Sequence, residues 1–169
     1  MPLSVFEGDL LCATEQYLMQ QCNCISTAPH GLSGAVAAKF PWADPYRRRR
    51  KLNGRNCAVP EHRPEPGTVD VFGDGVDKRY VVCMYAQYGM GKPYSYNNAG
   101  REWEDSPKLR KEWFAQCLDE VAYLKPTSVA MPHGIGCGLA GGNWAKDYHP
   151  VLVKWADENP AIAVVLYKL

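Results

Sequence analysis

Long apolar runs, a strong net charge and internal repeats are all missing from this sequence of 169 residues. No apolar run approaches the roughly 20 residues that a bilayer-spanning helix needs, so we expect no membrane segment. Nineteen Lys and Arg residues against 18 Asp and Glu leave a formal net charge of +1, which gives no overall attraction to nucleic acid or membrane. Without repeats or linkers, the chain is predicted to be one domain over residues 1–169 and a monomer.

The composition is that of a globular protein, with 46% apolar and 22% charged residues. No basic stretch precedes the first apolar residues, so the N-terminus does not resemble a secretory signal. Seven cysteines without such a signal indicate free thiols in a reducing compartment. We therefore expect a cytoplasmic protein or, in a eukaryote, a nuclear one.

Apolar periodicity predicts alternating strands and helices. Strands are expected at residues 3–6, 17–25, 67–73, 79–86, 127–132 and 161–169, and helices at residues 35–40, 107–124 and 143–159. The segment "RYVVCMYA" is almost continuously apolar and is predicted to be a central strand. Ser106 and Pro107 are a typical N-cap and first helical residue. The C-terminal strand, loop, helix and strand form a βαβ unit, so the fold class is α/β.

A glycine-rich loop, "MPHGIGCGLAGGNW" at residues 131–144, follows the penultimate predicted strand. Strand-to-helix turns of this kind offer backbone N–H groups and a helix N-terminus to phosphate oxygens. The loop is neither a P-loop nor a dinucleotide-binding fingerprint, and it contains no lysine for a triphosphate. These features favour a diphosphate held mainly by backbone; the alternative is a tight turn that only permits close packing.

Several motifs in this order resemble those of macrodomains, which are ADP-ribose-binding domains. They are "EGDLL", "QCNCI", "GLSGAVAAKF", "MPHGIGCGL" and the terminal "VLYKL". The pattern is most similar to the branch that contains the terminal ADP-ribose protein glutamate hydrolase. The resemblance covers nearly the whole chain except a basic insertion at about residues 44–66. It implies a three-layer α/β/α fold with a mixed, mostly parallel central sheet.

The resemblance also implies a set of ADP-ribose contacts. Asp9 and the Leu10 backbone would contact the adenine, with Tyr167 at its edge, and Asn23 would face a ribose. A first loop would surround the distal ribose and a second would wrap the diphosphate. The first loop is Gly31, Leu32, Ser33 and Gly34, and the second is Gly134, Ile135, Gly136, Cys137, Gly138 and Leu139.

The catalytic residues of that branch are replaced in this sequence. A lysine and an aspartate act in the glutamate-linked hydrolases, whereas Gln87 and Ala140 occupy those positions here. Lys92, five residues beyond Gln87, is a weaker substitute. The lysine mechanism is therefore expected to be absent.

Two histidines flank the proposed binding loops and offer another route to catalysis. His30 or His133 would act as a general acid or base on an ADP-ribosyl linkage or on ADP-ribose 1″-phosphate. Asp44 is a candidate for orienting one of them. A helix N-terminus would make Cys137 reactive by lowering its pKa, although a small apolar filler is the commoner role. The alternative function is a catalytically silent ADP-ribose reader.

Cysteine spacing gives little support for a metal site. Cys22 and Cys24 alternate on a predicted strand, with His30 six residues later. Structural zinc sites space their cysteines differently, so buried core is the simpler interpretation. We expect no metal and no cofactor.

The only charge run is "RRRRK", Arg47 to Lys51, within a proline-punctuated segment predicted to lie at the surface. Such runs contact nucleic acid in some proteins and are solvated surface in more. A third use is contact with an ADP-ribosylated protein or nucleic acid near the cleft. Association with nucleic acid through this basic run stays a second alternative function of the protein.

Overall fold

The C-terminal strand–helix–strand unit predicted from the sequence is present in the structure. The structure is a computed structural model, and it describes residues 3–93, 103–138 and 140–169. The strands are β1 Leu3–Glu7, β2 Tyr17–Gln21, β3 Val69–Phe72, β4 Tyr80–Met84, β5 Ser128–Pro132 and β6 Ala163–Lys168. The helices are α1 Leu32–Lys39, α2 Pro107–Tyr123 and α3 His149–Glu158, and a π-helical turn at Trp144–Tyr148 leads into α3.

The six strands form one sheet in the order β1-β6-β5-β2-β4-β3. Five are parallel and only β3 is antiparallel to its neighbour, β4. The carboxyl ends of the five parallel strands therefore meet at one edge, where ligands bind in open α/β sheets. The mixed, mostly parallel sheet predicted from the sequence is confirmed.

Helices cover both faces of this sheet. Trp113, Phe114 and Leu118 of α2 join residues of α3 in the larger apolar core. Val36 of α1 packs into a second cluster with Leu18. The result is the three-layer α/β/α arrangement, and none of the helices in the described ranges is long and apolar enough to cross a membrane.

Helix α2 begins as the sequence predicts. The Ser106 side chain accepts the Leu109 backbone N–H at 3.0 Å, and Pro107 is the first helical residue. The apolar stripe of α2 faces the core, but Arg110 is buried on the same helix. A buried arginine needs polar partners, and these lie in the cleft described below.

Two strand predictions need correction. β2 ends at Gln21 and does not continue to Ile25, because the Asn23 side chain accepts the backbone N–H groups of Ile25 and Ser26 and turns the chain. β4 lies second from the sheet edge and not at its centre. It is still buried on both faces, since Val81 packs with the α1 cluster and Val82 with the larger core.

Candidate ligand-binding cleft

A cavity of about 550 Å³ opens at the carboxyl edge of the sheet, between the loops that follow β2, β4 and β5. It is lined by residues of three segments, together with Tyr46 of the insertion. These residues are Gln21, Asn23, Ser26, His30, Gly31, Leu32 and Ser33; Gln87, Met90 and Gly91; and Pro132, Gly134, Ile135, Gly136, Gly138 and Ala140. Both predicted binding loops therefore meet at one cleft.

The glycine loop needs glycine for two separate reasons. Gly134, Gly136 and Gly141 have φ of 77°, 79° and 73°, a region that side chains strongly disfavour. Close packing is the second reason: a Cβ at Gly136 would lie 2.9 Å from Tyr148 Cζ, and one at Gly142 would lie 2.6 Å from the Gly136 carbonyl oxygen. The backbone of this loop therefore forms part of the cavity wall.

Asn23 shapes the first loop with its side chain. Its Oδ1 accepts the Ile25 and Ser26 backbone N–H groups at 3.0 and 2.8 Å. The Asn23 backbone N–H in turn donates to the Tyr46 hydroxyl at 3.0 Å. Burial strongly raises the pKa of that hydroxyl, which keeps it un-ionised. Tyr46 was not predicted as a site residue, because it comes from the insertion and no local pattern places it at the cleft.

Two glutamines stand side by side in the cavity wall. Gln21 donates through Nε2 to Gln87 Oε1 at 2.8 Å, and Gln87 Nε2 donates to the Gly89 carbonyl at 2.9 Å. Gln21 Oε1 is buried without a hydrogen-bond partner and is left as an acceptor. Gln87 thus has a structural role in the cavity wall, and an amide neither attacks nor takes up a proton at neutral pH.

Titratable groups are scarce in the cleft. Among the described residues that line it there is no Asp, Glu, Lys or Arg, and imidazole is the one side chain that exchanges protons near neutral pH. His30 supplies that imidazole and is exposed at the cavity. Asp44 does not line the cavity; its carboxylate accepts the backbone N–H groups of Tyr46 and Arg47.

Six predicted residues lie outside the cavity lining: Asp9, Leu10, Gly34, His133, Cys137 and Tyr167. Leu139 lies outside the described residues. Asp9 accepts the Leu11 N–H and caps a short helix, and Leu10 is buried. The Tyr167 hydroxyl donates to Glu15 Oε1 at 2.6 Å. Asp9 and Leu10 follow β1, and Tyr167 lies near the end of β6.

His133 and Cys137 lie in or beside the glycine loop but do not line the cavity. The His133 ring packs against Trp144 with centroids 5.1 Å apart. Burial raises the pKa of the Cys137 thiol to about 11, which disfavours a reactive thiolate there.

The basic insertion is only partly a surface segment. Arg47, Arg48 and Arg50 are exposed, and they pair with Asp44, Asp70 and Glu61 at 3.3, 2.9 and 3.6 Å. The surface prediction is wrong for several other residues of the segment, which are buried: Tyr46, Arg49, Cys57, Ala58 and Val59. They are covered because the Ala58 N–H donates to the Ile25 carbonyl at 2.6 Å and so docks the insertion on the first loop.

Within the described ranges, no group of three or more His, Cys, Asp or Glu residues could hold a metal ion. Cys22 and Cys24 are both buried in the larger core, beyond the end of β2. Burial raises the pKa of the Cys24 thiol, which disfavours the thiolate that a metal needs.

Comparison with known proteins identifies the architecture. No protein-family model matches the sequence, and a search of curated proteins finds no significant match. Among solved structures, the macrodomain of Mycobacterium tuberculosis DarG superposes with a TM-score of 0.69 at 18% identity, covering 99% of this chain and 97% of that one. The macrodomain of Thermus aquaticus DarG gives 0.70 at 16% identity, covering 99% and 98%.

A Trypanosoma brucei macrodomain in complex with ADP-ribose is also similar, with a TM-score of 0.60 at 12% identity over 98% of this chain and 62% of that one. At these identities the likeness establishes the fold. The chain has the macrodomain fold, as its motifs implied. Its placement in the branch of the glutamate hydrolase stays a prediction.

Proposed function

We propose that this protein binds ADP-ribose in the cleft at the carboxyl edge of its sheet. The observation that carries the proposal is the meeting of Asn23 and both glycine-bearing loops at one cavity of about 550 Å³ with no carboxylate among its described lining residues. A cavity without acidic groups, walled by glycine backbone, suits an anionic ligand. The volume falls in the usual range for sites that bind small molecules.

The arrangement suggests how the ligand lies. The diphosphate would lie along the backbone from Gly134 to Gly138, and the distal ribose would lie between Asn23 and the first loop. The adenine would extend toward the end of β1, where Asp9 is exposed. The Trypanosoma macrodomain that shares the fold was solved with ADP-ribose, which supports this choice of ligand.

Calorimetric titration with ADP-ribose tests the proposal, with Gly138→Val as the blocking variant. A Cβ at Gly138 meets no atom within 4 Å and its φ is ordinary, so the added side chain occupies ligand space without straining the backbone. The matched control is Ala161→Val, an exposed residue before β6 at the opposite edge of the sheet. Binding by wild type and Ala161→Val but not by Gly138→Val is expected. A folded wild type that binds no ADP-ribose would refute the proposal.

Hydrolysis is a second candidate function, and His30 favours it. His30 is the sole imidazole among the described lining residues and is exposed to solvent there. In such a reaction His30 would take a proton from a water molecule that attacks the distal ribose or its phosphate, and the leaving oxygen would regain a proton. The substrate would be an ADP-ribosylated protein or nucleic acid, or ADP-ribose 1″-phosphate.

Turnover of these substrates by wild type, His30→Ala and His149→Ala separates hydrolase from reader. His149 is exposed and does not line the cavity, so its replacement controls for loss of a surface histidine. A hydrolase using His30 loses about 100-fold or more in rate only in the first variant. Tight binding without turnover by the wild type would instead support a reader.

A further inference from the structure

One arginine of the basic run differs from its neighbours. Arg49 is 6% exposed, whereas Arg47, Arg48 and Arg50 lie at the surface. Each of these three exposed arginines has a carboxylate within 4 Å, but Arg49 has none among the residues that the structure describes. Arg49 is therefore a buried cation with no carboxylate partner in the part of the chain that the structure describes.

Neutral groups of the cleft hold the Arg49 guanidinium. Nη1 donates to the Ser26 carbonyl at 2.9 Å, and Nη2 donates to the Asn23 carbonyl at 3.0 Å. The guanidinium also stacks on the Tyr46 ring, 4.8 Å from its centroid, and lies 5.7 Å from that of Tyr85. Asn23, Ser26 and Tyr46 all line the cavity, so the charge lies directly behind its wall.

Burying a cation without a counter-charge is unfavourable, so its retention needs a compensating interaction. The cleft in front of Arg49 has no charged side chain among its described lining residues. A positive charge set in protein rather than water acts over a longer distance with less screening by salt. In addition, two carbonyl oxygens that would repel an anion are already bound by the guanidinium.

We propose that Arg49 is a positioning residue that holds the Asn23–Ser26 turn and supplies the positive charge opposite a diphosphate in the cleft. This inference rests on the proposed function of the cleft. Arg49 contacts the loop and not the ligand. An anion bound in the cleft would partly neutralise its charge, so the buried cation favours the complex.

The test compares Arg49→Met, Arg49→Lys and Arg48→Met in titrations with ADP-ribose and with inorganic pyrophosphate. Arg49→Met removes the charge and keeps an apolar stem of similar length. Arg49→Lys keeps the charge but loses the two-pronged contact. Arg48→Met is the matched control, because Arg48 also stacks on a ring, that of Phe72, but pairs with Asp70 away from the cleft. Thermal unfolding verifies that each variant folds.

We expect Arg49→Met to weaken binding of both ligands about tenfold, Arg49→Lys to restore most of that loss, and Arg48→Met to change neither. A merely structural role would make the lysine and methionine variants equally weak, which overturns the proposal. Unchanged affinity in Arg49→Met also overturns it while leaving the proposed function intact.

Titration with pyrophosphate distinguishes failure of the proposed role of Arg49 from failure of the proposed ligand, ADP-ribose. Binding of pyrophosphate that depends on the Arg49 charge, with no binding of ADP-ribose, refutes the proposed ligand and supports the role of Arg49. Failure of the folded wild type to bind either ligand overturns both.

Discussion

Arg110 and Asp105 form a two-pronged ion pair inside the protein, with Nε–Oδ1 and Nη2–Oδ2 distances of 2.7 Å each. Both side chains are 2% exposed. The Arg110 Nη1 group donates to the Gly91 carbonyl at 2.7 Å and to the Ala140 carbonyl at 3.3 Å. One guanidinium on α2 therefore connects two of the loops that line the cleft.

Arg110→Met should strongly destabilise the protein. The substitution leaves the Asp105 carboxylate buried without its partner, and breaking one side of a buried ion pair costs about 3–5 kcal/mol. Urea unfolding measures the loss. Arg50→Met is the control, since Arg50 and Glu61 are 3.6 Å apart and both largely exposed, and such pairs contribute about 0–1 kcal/mol. Equal losses in the two variants would contradict this account of the buried pair.

Asn23→Asp should separate ligand binding from loop folding. The aspartate keeps an oxygen that accepts the Ile25 and Ser26 N–H groups, so the turn persists. It also adds a negative charge to a cavity that has none among its described lining residues. We expect the melting temperature to stay near that of wild type and ADP-ribose affinity to fall about tenfold or more. Calorimetry and thermal unfolding of Asn23→Asp and Asn23→Ala test both parts; wild-type affinity in the aspartate variant would argue against an anionic ligand beside Asn23.

The Cys137 thiol should react slowly despite its position in the glycine loop. Burial raises its pKa to about 11, so about one thiol in a thousand is ionised near pH 8, and only the thiolate reacts. Mass spectrometry after iodoacetamide treatment should find the exposed Cys12 modified first. Modification of Cys137 should accelerate about tenfold per pH unit. Rapid labelling of Cys137 at neutral pH would contradict the effect of burial.

Ionisation of the Tyr148 hydroxyl should lower the free energy of unfolding at alkaline pH. Burial raises its pKa in the folded protein to about 12 from an ordinary 10.0. The unfolded chain therefore ionises first as pH rises, so stability is complete below about pH 10 and declines toward pH 12. A shift of two units corresponds to about 2–3 kcal/mol.

Urea unfolding of wild type and Tyr148→Phe at several pH values measures that contribution. The difference in unfolding free energy between the two should shrink as pH rises from about 9 to 12, because only wild type carries this hydroxyl. Tyr123→Phe is the control for loss of a tyrosine hydroxyl at the surface, since Tyr123 is 83% exposed. A constant difference for Tyr148→Phe would show that its ionisation is not linked to folding.

Local patterns in the sequence were sufficient for the elements and for much of the cleft. Periodicity and the Ser106 cap predicted α2, and the apolar runs predicted the parallel strands, because these features depend on neighbours along the chain. Glycine density predicted the loop after β5, where positive φ and close packing with Tyr148 both exclude side chains. The motif resemblance predicted Asn23 and the first loop at the cavity.

Contacts between segments that are far apart in the sequence were decided only by the tertiary structure. Nothing local distinguishes Arg49 from Arg48, yet docking of the insertion on the first loop buries one and leaves the other paired at the surface. Nor does the apolar stripe of α2 show that Arg110 reaches two distant loops. The sequence by itself determined the macrodomain fold and the position of its cleft, since both follow from strand order and turns. The charge behind the cleft and the links between its loops were decided by long-range packing, because burial and hydrogen-bond partners exist only once the chain has folded.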